Sequence, residues 1–131
     1  MIAIDTNVLV RFLVEDDPEQ SRRAAELFRR SVEQDLVIFV PDVVLVETVW
    51  VLERSYHMRR NEILPALRRL LAAREVSFAS SDRLDRALRD WERGRGGFAD
   101  YVIREQAREA GCSVVATFDR ALLGEPGFAA P

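Results

Sequence analysis

The amino-acid sequence predicts an α/β fold, namely a three-layer α/β/α domain built around a parallel sheet of four or five strands. Two observations support this prediction. Short runs of β-branched residues recur along the chain, and longer amphipathic segments, mostly in pairs, separate them. Strands that are connected through helices run parallel to one another, and the connecting helices cover both faces of the sheet.

Four short apolar runs are the predicted strands, at residues 2–4, 36–40, 76–78 and 113–117. Six amphipathic segments are the predicted helices, at residues 7–14, 18–32, 43–55, 62–71, 84–91 and 98–110. Residues with strong positional preferences support these boundaries, because Pro18 suits a first helical turn and Asp42 suits an N-cap. Gly111 is predicted to end the last helix in a left-handed conformation.

The length of 131 residues predicts a single domain that spans residues 1–131. Apolar residues make up 48% of the chain and charged residues 31%, as in ordinary globular proteins. The longest apolar stretch, residues 36–52, is interrupted by Pro41, Asp42 and Glu47 and does not predict a membrane span. Because the N-terminus carries no basic leader, we expect a cytoplasmic protein.

The composition also excludes several kinds of chemistry. All 19 basic residues are arginine, so the chain cannot form a lysine-dependent phosphate loop or a Schiff base. One cysteine, Cys112, and one histidine, His57, cannot supply the usual ligands of a zinc site. The net charge of −3 means that any contact with nucleic acid requires a local basic patch.

Four acidic residues occupy positions that indicate a functional site. Asp5 and Asp119 follow the first and last predicted strands, where ligands bind in parallel sheets, although each also suits an N-cap. Asp100 lies in a first helical turn, where the helix dipole alone would favour an acid. Glu47 is the only charged residue within the apolar run 43–52, which predicts a buried carboxylate. Such a group requires a cation, a bound metal or a proton.

Together these acids predict a metal site. Four carboxylates without histidine or cysteine select Mg²⁺ or Mn²⁺ rather than Zn²⁺. These ions bind phosphate oxygens and lower the pKa of a bound water, which creates a nucleophile. We therefore predict hydrolysis of a phosphate ester, with Asp5, Glu47, Asp100 and Asp119 as the metal-binding and catalytic residues.

The acids also lie in four motifs whose order and spacing resemble those of PIN-domain nucleases. The motifs are DTNVL at residues 5–9, VLVETVWVL at 44–52, FADY at 98–101 and ATFDR at 116–120. The resemblance extends over nearly the whole chain, to about Gly127. Tyr101 departs from the family pattern, which often has alanine there, and the departure bears on packing rather than on the acids.

The size without insertions resembles that of VapC-type toxins of type II toxin–antitoxin pairs. The resemblance implies an endoribonuclease that uses Mg²⁺, with Mn²⁺ able to substitute, and that leaves 5′-phosphate and 3′-hydroxyl ends. It also implies a cognate antitoxin and a homodimer, with Thr6, Asn7 and Thr117 supporting the acids. The alternative is a PIN-fold module that binds metal or RNA without catalysis, or that has a different target.

Several surface residues have weaker interpretations. Arg93 and Arg95, in the glycine-rich segment 93–97 that we predict to be flexible, either contact RNA phosphates or belong to a solvated linker. Arg120 is a further candidate RNA contact. The paired arginines of the second helix, at positions 22–23 and 29–30, are predicted to form helix-face ion pairs with Glu19 and Glu26. For the antitoxin, we expect an apolar groove on the early helices that includes Phe12, Leu13 and Phe28.

Overall fold

The computed structural model describes residues 1–131 and contains six helices and five short strands. In chain order these are β1 (Ile2–Ala3), α1 (Thr6–Leu13), α2 (Pro18–Glu33), β2 (Ile38–Phe39), α3 (Asp42–Arg54), α4 (Arg60–Ala72), β3 (Val76–Ser77), α5 (Ser81–Arg93), α6 (Phe98–Glu109), β4 (Val115–Ala116) and β5 (Phe128–Ala129). The chain forms two compact units, Met1–Ser81 and Asp82–Pro131. The predicted α/β class and the six predicted helices are confirmed, but Asp42 is the first residue of α3 and Pro41, not Asp42, is its N-cap.

The first unit contains a parallel sheet in the order β1-β2-β3. Ile2 pairs with Ile38, and Ile38 pairs with Val76, so the strands are in direct register. A pair of helices connects each strand to the next, as the alternation in the sequence predicts. The core of this unit consists of fully buried aliphatic side chains, among them Leu9, Ile38, Leu45, Leu52, Ile63 and Leu67.

The second unit contains α6 and a separate parallel pair, β4 and β5, in which Val115 pairs with Phe128. The prediction of one sheet with four or five strands is therefore wrong in its grouping, since the strands form sheets of three and two. β5 was not predicted from the sequence. Two residues after a proline and a glycine are too short a run to show the alternation that identifies a strand.

Local capping interactions define the helix ends. Asp17 caps α2 by accepting a hydrogen bond from the backbone N–H of Gln20 (3.0 Å), and Pro18 is the first helical residue. Gly111 has φ +91° after α6, where the N–H groups of Gly111 and Cys112 bond back to the carbonyls of Arg108 and Ala107. This is a Schellman motif, and it confirms the predicted role of Gly111.

Aromatic stacking joins α1 to α2. The rings of Phe12 and Phe28 are nearly parallel, with centroids 3.7 Å apart, and Phe28 is buried. Leu13 is half-buried. The predicted antitoxin groove of Phe12, Leu13 and Phe28 is therefore wrong for Phe28, which is a core residue against which Phe12 packs. Helical periodicity identifies an apolar face, but it cannot tell whether that face meets a neighbouring helix or a partner protein.

A polar cluster holds the end of α1 to the segment that follows α3. The Tyr56 hydroxyl donates to Asp16 (2.6 Å), while Arg11 donates to Asp16 (3.0 Å), to the Tyr56 oxygen (3.1 Å) and to Gln20 (2.8 Å). The hydrogen bond from Tyr56, with a further contribution from the Arg11 charge, lowers the pKa of Asp16 below its usual value. The ionised form of Asp16 is thus favoured in the folded protein.

This cluster predicts a pH dependence of stability. Because the folded pKa of Asp16 is depressed, its contribution is complete above the unfolded pKa of about 4 and is lost as the pH falls through the folded value. Asp16→Asn should therefore lose less stability than the wild type between about pH 5 and pH 3 in urea denaturation. Glu15→Gln, an exposed neighbour, is the control and should follow the wild type. Identical pH profiles for Asp16→Asn and the wild type would contradict the assignment.

Candidate active site

Asp5 lies just beyond the carboxyl end of β1 and is the N-cap of α1. Its Oδ1 accepts a hydrogen bond from the backbone N–H of Val8 (3.0 Å), which leaves Oδ2 without a hydrogen bond. The capping role is thus confirmed, yet it occupies only one of the two carboxylate oxygens. Thr6 is half-buried and Asn7 is exposed in the first turn that follows.

Glu47 lies in the middle of α3 and is exposed, so the prediction that its carboxylate is buried is wrong. The buried face of α3 consists of Val44, Leu45, Thr48, Val49 and Leu52. Its opposite face includes Val43 and Trp50, which are 72% and 56% exposed, on either side of Glu47. Because both faces of α3 carry apolar residues, the sequence does not show which face is buried and which is exposed. Because α1 packs against α3, Asp5 and Glu47 lie on neighbouring helices of the first unit.

Asp100 is the third residue of α6, and its Oδ2 accepts a hydrogen bond from the backbone N–H of Gly97 (2.8 Å). Hydrogen bonds join the segment before α6 to its surroundings, and the flexibility predicted for residues 93–97 stays a prediction. The buried Tyr101 accepts a hydrogen bond from the N–H of Gly96 (3.0 Å), and Glu125 accepts one from the N–H of Arg95 (2.7 Å). A Cβ at Gly96 would lie 2.5 Å from Leu122 and 3.3 Å from Oδ2 of Asp100.

Asp119 follows β4 on a loop that its own side chains stabilise. The backbone N–H of Thr117 donates to the Ala129 carbonyl (2.9 Å) and so continues the β4–β5 ladder. The Thr117 hydroxyl accepts a hydrogen bond from the backbone N–H of Asp119 (3.0 Å). Asp119 Oδ1 in turn accepts from the N–H of Ala121 (2.9 Å). The carboxylate therefore caps a turn and not a helix, and its second oxygen makes no hydrogen bond. Phe118, between the two polar residues, is 89% exposed.

The predicted acids share an electrostatic property that suits metal binding. None of Asp5, Glu47, Asp100 and Asp119 forms an ion pair, although the chain has 19 arginines. The three aspartates each bind a backbone N–H through one oxygen, which fixes the carboxylate and leaves the other oxygen as a ligand. Oxygen donors of this kind fit Mg²⁺ or Mn²⁺.

The two compact units divide the predicted site between them. Asp5 and Glu47 belong to the first unit, and Asp100, Asp119 and Thr117 belong to the second. Within neither unit do three or more acidic, histidine or cysteine side chains form a group that could hold a metal ion. Convergence of all four acids on one metal therefore stays a prediction. Arg93, Arg95 and Arg120 are exposed in the second unit, and their contact with RNA also stays a prediction.

A groove in the first unit was not predicted from the sequence. This groove, of about 520 Å³ between α1 and α2, is lined by Asp5 and by four arginines, Arg11, Arg22, Arg23 and Arg30. The signal that could have indicated it is the repetition of Arg-Arg pairs seven residues apart on one helix. Because these arginines are predicted to form ion pairs within the helix, they are interpreted from the sequence as part of a solvent-exposed face and not as a binding site.

The fold and the four acidic motifs define the class of protein. The family model of the PIN domain matches residues 2–124, so the chain belongs to the PIN domain family. Among known proteins, the chain is 25% identical over 120 residues to the VapC ribonuclease of Aquifex aeolicus (strain VF5). That alignment covers 92% of this chain and 88% of the Aquifex protein. None of the helices is both long enough and apolar enough to cross a membrane.

Proposed function

We propose that this PIN-family protein is a Mg²⁺-dependent endoribonuclease and the toxin of a toxin–antitoxin pair. The observation that carries the proposal is the presence, in family order, of four acids that are free of ion pairs and of which three are oriented by backbone N–H groups. The similarity to a VapC ribonuclease supports the choice of RNA as substrate. The family match, which spans both compact units, supports a single domain over residues 1–131.

In this proposal Asp5, Glu47, Asp100 and Asp119 hold the metal. When bound, Mg²⁺ supplies an activated water and neutralises charge on the scissile phosphate. Thr117 positions Asp119 by accepting its backbone N–H, and the N–H of Gly97 positions Asp100 in the same way. Each of these carboxylates therefore offers its remaining oxygen with little reorganisation. Thr6 and Asn7 flank Asp5 as supporting polar groups.

The partners in this proposal are RNA, a cognate antitoxin and a second copy of the chain, all meeting in the cytoplasm. Phe28 is buried between α1 and α2, so the antitoxin is expected to contact the half-buried Phe12 and Leu13 on these early helices. The homodimer follows from the family resemblance alone.

Removal of the metal tests the proposed chemistry. The purified full chain should cleave cellular RNA in the presence of Mg²⁺, lose this activity in EDTA, and regain it with Mg²⁺ or Mn²⁺. The new ends should carry 5′-phosphate and 3′-hydroxyl groups, as ligation-based end mapping would show. An Asp119→Asn protein that is purified in the same way controls for contaminating nucleases. Cleavage that persists in EDTA, or ends that carry cyclic phosphates, would contradict a metal-activated water.

A non-catalytic PIN-fold module is the alternative function. Such a protein would retard RNA in a gel while leaving it intact at saturating Mg²⁺. The same preparation and the same RNA therefore distinguish the two hypotheses.

A further inference from the structure

The groove between α1 and α2 has an unusual charge for a protein whose net charge is −3. Its charged lining consists of Asp5, Glu26, Arg11, Arg22, Arg23 and Arg30. Arg11 is engaged by Asp16 and Tyr56, as described above. The positive charge that the groove can offer a ligand therefore depends on the other three arginines.

Arg22, Arg23 and Arg30 are exposed and form neither ion pairs nor hydrogen bonds. Of the ion pairs predicted for this helix from the sequence, Glu26–Arg29 is present as a two-nitrogen contact, which leaves Arg30 without its predicted partner. Glu19 forms no ion pair with Arg22 or Arg23. Arg29 also pairs with Glu33, so this trio of one arginine and two glutamates carries a net charge of about −1. Three arginines without an ion pair or hydrogen bond thus remain along one groove, although Arg22 and Arg30 attract the Glu26 carboxylate at longer range.

The spacing of these arginines suits an extended anionic ligand. Arg22 and Arg30 are eight residues apart on one helix, which separates their Cα atoms by about 12 Å along the axis. Both line the same groove as Asp5, the first of the four motif acids. A chain of phosphates that lies along the arginines would therefore share a groove with a candidate metal ligand.

We infer that the groove of Asp5, Arg22, Arg23 and Arg30 binds the phosphate backbone of single-stranded RNA beside the cleavage site. This inference rests on the proposed function. Guanidinium groups form two-point hydrogen bonds with phosphate, and such contacts position a substrate without reading its sequence. RNA is favoured over an acidic peptide because the groove contains Asp5, which in the proposed function holds a metal that takes a phosphate oxygen as ligand.

Salt-dependent RNA binding in EDTA tests the inference, because binding is then measured without cleavage. The probe is a fluorescein-labelled single-stranded RNA of about 15 nucleotides, whose anisotropy is followed between about 50 and 200 mM KCl. The test protein is the triple variant Arg22→Gln/Arg23→Gln/Arg30→Gln. Its matched control is Arg59→Gln/Arg69→Gln/Arg74→Gln, which removes three exposed arginines from the same unit and changes the net charge equally.

The groove variant should bind at least about tenfold more weakly, and the slope of log K against log salt should fall by about 2, or 0.7 for each lost contact. The control should stay within about threefold of the wild type. Thermal melts that match the wild type exclude unfolding as the cause. The groove variant should also raise KM for RNA cleavage in Mg²⁺ more than it lowers kcat.

Four outcomes would overturn the inference. If the groove variant binds like the wild type while RNA is still cleaved in Mg²⁺, the proposed function stands and the groove assignment fails. If the control loses as much affinity as the groove variant, net charge alone explains binding. If a poly-glutamate peptide displaces the RNA as effectively as unlabelled RNA does, the groove is a peptide site. If the wild type neither binds nor cleaves RNA, the proposed function fails as well.

Discussion

Asp5→Asn is expected to reduce the rate of RNA cleavage by at least about a hundredfold while leaving the protein folded. Asparagine is as good an N-cap as aspartate, so its side-chain oxygen keeps the hydrogen bond from the Val8 N–H. What the substitution removes is the negative charge, on which metal binding depends. The same reasoning applies to Asp119→Asn, because asparagine can still accept the hydrogen bond from the Ala121 N–H.

The chain offers a matched control for Asp5→Asn. Asp17 caps α2 in the same geometry, with an oxygen 3.0 Å from the backbone N of Gln20, but it lies outside the four motifs. Asp17→Asn should therefore keep the cleavage rate of the wild type, measured on a labelled RNA at saturating Mg²⁺. A cleavage rate for Asp5→Asn within a few-fold of the wild type would remove this residue from the proposed site.

Arg104→Met should lower the free energy of unfolding by about 3–5 kcal/mol, the largest stability effect that we expect from a single substitution. The Arg104 guanidinium is buried in the second unit, where it contacts Asp90, donates to the Pro126 carbonyl (3.0 Å) and lies 3.7 Å from Glu105. It also packs over the Tyr101 ring, 5.1 Å from its centroid. Methionine replaces the apolar stem but leaves buried carboxylate charge less compensated.

Urea denaturation monitored by circular dichroism measures this effect, and Arg89→Met is its control. Arg89 forms an ion pair with Asp85 at 2.9 Å, but its side chain is 71% exposed. Solvent screening should limit the cost of removing it to about 1 kcal/mol or less. Combining Arg104→Met with Glu105→Gln should recover part of the loss, because the second substitution removes a buried carboxylate whose remaining ion-pair partners are Arg108 and Arg86. Equal effects of the Arg104 and Arg89 substitutions would show that burial contributes nothing to the Arg104 network.

Local interactions explain why so much of the fold was predictable from the sequence. The Asp17–Pro18 pair and Gly111 act within one helical turn, so their effect on α2 and α6 does not depend on distant parts of the chain. The apolar runs that form β1 to β4 are also visible within a few consecutive residues, so these strands could be predicted from the sequence. Asp5 and Asp119 could be placed after strands for the same reason. Asp100 was recognised in a first helical turn and Glu47 as the one charge in an apolar run, and the resemblance of the motifs then linked all four acids.

Side-chain environments, by contrast, depended on contacts between residues that are far apart in the sequence. The exposure of Glu47, the burial of Phe28 and the pairing of β4 with the unrecognised β5 are examples. The amphipathic pattern states which residues share a face of α3, but only the packing of α1 decides which face is covered.

The arginines of α2 also show the difference between what the local sequence determines and what tertiary contacts determine. The sequence by itself determined the α/β class, the order of the six helices and the positions of the four acids, because each follows from local periodicity, capping or motif order. Only the tertiary structure decided that Glu26 pairs with Arg29 and leaves Arg22 and Arg30 without an ion pair in the groove that Asp5 also lines. Helical spacing allows Glu26 to pair with either Arg29 or Arg30. Which pair forms depends on the contacts that each long side chain makes with the rest of the structure.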